Sequence, residues 1–179
     1  MQSLDNKELR EGIKTGGDYP DRFPRGNGTY RCILTGVHQH HEGLDQYFPE
    51  FELVEMDRAD SENTKTSKEY EDSDGNIQPA RPYGAPVIGQ TYSLSFNPSH
   101  QKKIVRDMAL EGIVCMVCAA SGQDPHDINF KADPVWKDML EITESGEDIG
   151  LPIEIKAIEK PRKKDGELFT NFYFNIWYI

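Results

Sequence analysis

The chain has 179 residues, a formal charge of −11 and a pI near 4.9, and 36% of it is hydrophobic. That length supports one domain with its own core, or two only if both are small. The acidity excludes a protein that engages polyanions over its whole surface.

The charge is uneven. Between residues 42 and 74 twelve acids face three bases (Arg58, Lys65 and Lys68), a local −9, which leaves −2 for the rest. Three cysteines (Cys32, Cys115 and Cys118) make an odd count without a framework, which argues against a secreted disulfide scaffold. No signal peptide or membrane-length apolar run is apparent, so a soluble cytoplasmic protein is expected.

Residues 1–27 are polar and rich in Gly, Pro and Asp, and read as a flexible arm closed by the turn Gly26-Asn27-Gly28. Residues 29–39 are β-branched and aromatic and predict a first strand, with Gly36 marking a bulge or bend. A turn near Glu42-Gly43 leads into a second strand over 46–56, where Pro49 calls for an edge or a bulge. Residues 57–89 carry no sustained periodicity and form a long acidic insert. Tyr92, Leu94 and Phe96 alternate with small polar residues, which predicts a third strand over 90–96.

Asn97-Pro98-Ser99 is a helix start, and residues 101–118 continue it, with Gly112 as a candidate break. Ile104, Val105, Met108 and Leu110 give the stripe expected to face the core. Asp133-Pro134 opens a second helix with Val135, Trp136, Met139 and Leu140 inward. Residues 151–159 alternate Ile153, Ile155 and Ala157 against polar neighbours, a fourth strand. A basic turn at 160–166 with an Asp-Gly signal then leads to a last strand over 168–179. The order is β-β-β-α-α-β-β, so the fold class is mostly β with helices.

Three strands, a helical connection and a closing hairpin match a five-stranded OB barrel over residues 28–179. The segments Gly28-Thr29-Tyr30-Arg31, Phe51-Glu52-Leu53-Val54, Gly150-Leu151-Pro152-Ile153-Glu154-Ile155 and Gly166-Glu167-Leu168-Phe169-Thr170-Asn171 carry a further likeness. In pattern and spacing the chain resembles the OB-fold single-stranded DNA-binding proteins of bacteriophages. That resemblance implies coating of unpaired DNA during replication or recombination, without catalysis. It also implies partners among replication or recombination proteins and, for a viral chain, the host cytoplasm. Many members end in an acidic tail, whereas here the acids are internal and the end is apolar. A homodimer is compatible with the pattern, and no cofactor or membrane is called for.

Unpaired bases stack on exposed rings while cations track the phosphates. Along the last strand Phe172, Phe174, Ile176 and Tyr178 share one face, and Asn171, Tyr173, Asn175 and Trp177 the other. The second set mixes amides with rings, as a stacking platform does, so Tyr173 and Trp177 are the chosen candidates, with Phe169 near the turn. The competing reading is that these rings fill a barrel interior. Phosphate contacts are assigned to Lys156, Lys160, Arg162, Lys163 and Lys164, with Lys102 and Lys103 near the helix start and Arg31 on the first strand. Tyr92 looks like core beside Leu94 and Phe96.

His38-Gln39-His40-His41-Glu42 invites a metal reading, but zinc needs three or four ligands fixed in space, and a solvated turn is favoured. Cys115-Met116-Val117-Cys118 has metal or redox spacing inside an apolar segment, and core thiols are favoured. No catalytic constellation appears. Two other functions stand beside single-strand binding. One is an acidic interaction module or inhibitor that engages a basic partner as a DNA mimic. The other is a metal-dependent hydrolase built on the histidines.

Overall fold

The computed structural model describes residues 20–24, 26–40, 46–57, 69–71, 74–79, 86–127, 129–161, 163, 166 and 168–178. Its elements run β1 (Asp21–Arg22), β2 (Gly28–His40), β3 (Gln46–Asp57), β4 (Glu69–Glu71), β5 (Ile77–Pro79) and β6 (Thr91–Ser93). Two helices follow, α1 (Lys103–Ala120) and α2 (Ala132–Glu144), and then β7 (Leu151–Pro161) and β8 (Leu168–Asn175). Six strands form one sheet in the order β1-β6-β3-β2-β7-β8, and β4 and β5 form a separate two-stranded sheet within the acidic insert. The described residues are mostly β with two helices. Among the described residues no ladder joins the two edges of the sheet, so the expected closure into a barrel is not seen.

Five strands, β6-β3-β2-β7-β8, are antiparallel, and β1 adds in parallel to β6. Alternation sets the faces. Tyr30, Cys32 and Leu34 of β2, Phe51 and Leu53 of β3, and Ile153, Ile155 and Ala157 of β7 are all buried. Phe172 and Phe174 of β8 pack against the same core. Gly36 sits at a shift in the β2–β3 register, as its sequence position predicts. There the Val37 N–H donates to Thr143 Oγ1 at 2.9 Å, whose own hydroxyl donates to Met139 O, which fastens α2 to β2.

Pro49 is buried, and β3 is an interior strand rather than an edge. Leu94 N–H donates to Pro49 O at 3.1 Å, but proline has no N–H to return. The β3–β6 ladder therefore lapses after Ser93 and resumes with the mutual Tyr47–Phe96 bonds at 2.8 Å. The expected third strand is thus cut to three residues and a bridge.

Two other expectations change. Within the segment read as an arm, Asp21 and Arg22 pair with β6 and Phe23 is 3% exposed. The Phe23 ring meets Tyr30, Phe51, Tyr92 and Phe172 edge-on, with centroids 5.0–5.9 Å apart, so ring contacts draw β8 toward the far edge. In addition, Gly26 N–H donates to Thr170 Oγ1 on β8 at 3.0 Å.

The stripe on α1 is also reversed. Ile104, Met108 and Leu110 are more than half exposed, while Ala109, Ile113, Met116, Val117 and Ala120 are buried. The inward face mixes alanines with Ile113, Met116 and Val117, and Gly112 lets the helix approach closely. Gly112 does not break it: a Cβ there would lie 2.6 Å from Phe96 Cε1. On α2 the expected face holds, with Met139 buried and Val135, Trp136 and Leu140 against the core. No helix among the described residues is long and apolar enough to cross a membrane.

Removing the shared ring by Phe23→Ala should destabilise the fold by about 3–5 kcal/mol in urea denaturation. Gly112→Ala gains about 1 kcal/mol of helix propensity and meets about 1–3 kcal/mol of overpacking. A lower denaturation midpoint is expected, recovered in part by pairing it with Phe96→Leu.

Candidate nucleic-acid interface

Opposite the core, the sheet shows a second face whose cross-strand rows follow from the register. One row runs Asp57–Thr29–Lys156–Tyr173 and the next Glu55–Arg31–Glu154–Asn175. Nearer the turn, Lys160 lies opposite Phe169 and Ile158 opposite Asn171. These side chains are exposed or half-buried, and Tyr173 is 41% exposed, so neither helix covers this part of the hairpin. With that exposure, the Tyr173 ring does not fill the interior of the sheet.

Lys160 holds this ring in place. Its ammonium donates to Tyr173 Oη at 3.2 Å and lies 5.7 Å from the ring centroid. The donated hydrogen bond stabilises the phenolate and holds the Tyr173 hydroxyl below its ordinary pKa. Lys156 and Lys163 are exposed and Phe169 is half-buried. Arg162 and Lys164 lie outside the described residues.

Trp177 does not share a strand face with Tyr173. β8 ends at Asn175, two residues earlier than that pairing needs, and Tyr178, expected inward, is 84% exposed. Trp177 instead lines a cleft of about 600 Å³ between the C-terminal part of α1 and the residues after β8, with Arg31, Glu154 and Asn175 along its sheet side. Strand alternation could not have located this cleft, because it forms where the strand stops.

Arg31 is exposed but engaged. It donates to Glu55 at 2.8 Å and Glu154 at 3.2 Å, and both hydrogen bonds raise its pKa further. Two carboxylates on one guanidinium leave no net positive charge for a phosphate. Lys102 and Lys103 are exposed at the start of α1, on a different element from the hairpin. The acids Glu52, Glu55 and Asp57 occupy the outer side of β3. The outer face is therefore cationic along β7 and anionic along β3.

The remaining chemical candidates resolve locally. His38 Nε2 pairs with Glu50 at 3.3 Å, while the His40 side chain and His41 lie outside the described residues. Among the described residues no three His, Cys, Asp or Glu side chains gather as a metal site. Burial pushes the Cys32 thiol up to about 12 and raises Cys118, and also Cys115, which lies on the cleft. Tyr30 and Tyr92 are core. No protein-family model and no curated protein matches the chain.

Glu50 raises the His38 pKa through its hydrogen bond, against a smaller lowering by burial. A raised folded-state pKa means the pair stabilises below the unfolded value of about 6.5 and its contribution fades as pH rises through the folded value. In Glu50→Gln the His38 NMR titration should move to lower pH, with the wild-type stability advantage confined to acidic solution.

Proposed function

We propose that the protein binds single-stranded DNA on the outer face of the β7–β8 hairpin, without catalysis, to cover unpaired strands during replication or recombination. The observation that carries this reading is the exposed Tyr173 ring flanked by Lys156 and Lys160 on a face the helices leave open. A base stacks on the ring, and ammonium groups, with Lys163 at the turn, follow the phosphates. Lys160 sits beside the Tyr173 hydroxyl, so the ring face is open to a base while the cation reaches the backbone. The acids of β3 confine the strand to the β7–β8 side.

Supporting an OB-type assignment is the pairing pattern. β2 pairs with β3 and β7, β3 with β6, β7 with β8, and both helices fall between β6 and β7. The pair that would complete a barrel is β6 with β8. In its place Phe174 meets Phe96 and Phe51 at 6.1 and 6.2 Å.

Titration of labelled oligo-dT and a matching duplex over a range of salt tests the reading. A preference for the single strand is expected, with a log–log salt slope of roughly −2 for three lysine contacts. Tyr173→Ala should weaken binding by about 1–3 kcal/mol with no change in thermal midpoint. Absence of binding to either nucleic acid at about 50 mM salt would overturn the assignment.

A further inference from the structure

We infer that the cleft beside Trp177 receives one unstacked base of the bound strand and selects for a base that carries an exocyclic amine. The inference rests on the single-strand reading and adds a specificity site to it. The first support is placement. Arg31, Glu154 and Asn175 form the row next to Lys156 and Tyr173, two residues along each strand. Two residues of antiparallel strand span about 7 Å, a short step along an extended backbone. A strand stacked on Tyr173 thus brings its neighbouring base to the mouth of the cleft.

The second support is shape. Trp177, Tyr178 and Phe174 give the cleft aromatic walls, and its 600 Å³ falls in the range of small-molecule sites.

The third is hydrogen-bonding chemistry. Asp124 and Glu154 are acceptors only, and Gln123 and Asn175 can do both. Arg31 commits two of its five N–H groups to Glu55 and Glu154, so its charge is shared between two carboxylates. Asp124 and Glu154 keep the lining anionic, which repels phosphate and favours N–H donors over carbonyl oxygens. The occupant that fits is a neutral planar ring bearing N–H groups. Cytosine and adenine present an amine where thymine presents a carbonyl oxygen.

The test uses the full chain with Trp136→Phe, which leaves Trp177 as the single tryptophan. Oligo-dC, oligo-dA and oligo-dT of equal length are titrated by fluorescence anisotropy and by Trp177 emission. Quenching of Trp177 is expected, with dC and dA bound about tenfold more tightly than dT, the scale of one hydrogen bond to a charged group. Asp124→Asn retains an oxygen for the 2.8 Å bond from His126 N–H and adds a donor, so it should level the three affinities.

Oligomers that bind equally well, or that leave Trp177 emission unchanged, overturn the cleft inference while the single-strand reading stands. If no oligomer binds but dCMP quenches Trp177 and dTMP does not, the cleft is upheld and the single-strand reading falls. If neither oligomers nor mononucleotides bind, both fall.

Discussion

One aromatic ring holds the two sides of this sheet together. Phe23 enters the core from a polar segment and packs edge-on against rings from β2, β3, β6 and β8. Edge-to-face pairs add to the area each ring buries, and here one side chain makes four of them. Among the described residues no ladder joins the two edges of the sheet, so these contacts and the Gly26–Thr170 bond tie β8 to the far side. They fix where β8 lies, and the cleft is lined by its end and by α1.

The charge distribution acts on top of this frame. A protein at −11 is a poor general partner for DNA, yet charges farther apart than about 10 Å are screened at moderate ionic strength. For the proposed binding, what counts is therefore the local balance. On β7 Lys156 and Lys160 stand with two acids, Glu159 and Glu154, and the charge of Glu154 is already shared with Arg31. The unfavourable acids stand two strands away on β3.

Much of the sheet was legible in the sequence, because half-buried strands announce themselves by alternation: Ile153, Ile155 and Ala157 on β7, Phe172 and Phe174 on β8, and the bulge at Gly36. The β1 pairing was not, since two residues beside a lone Phe carry no period. The inward face of α1 was misread because burial there follows closeness of approach. Gly112 lets the helix come up against Phe96, and that contact turns Ile113, Met116 and Val117 inward and leaves Ile104 and Met108 outside. For the site, Tyr173 and the β7 lysines were readable from alternation and charge. The role of Arg31 was not, because its two carboxylates come from different strands, and Trp177 was placed on a strand that had already ended.

Pro49 has a consequence beyond its missing bond. A β-strand can slide along its neighbour in steps of two residues and keep the same side chains facing inward, so alternation alone does not forbid such a slip. In any such register the imide falls where β6 offers a carbonyl to a missing donor, as it does natively at Leu94, so the proline costs one bond whether the strands are aligned or slipped. The choice of register is left to side chains: the native alignment seats the buried Tyr92 ring against Phe23.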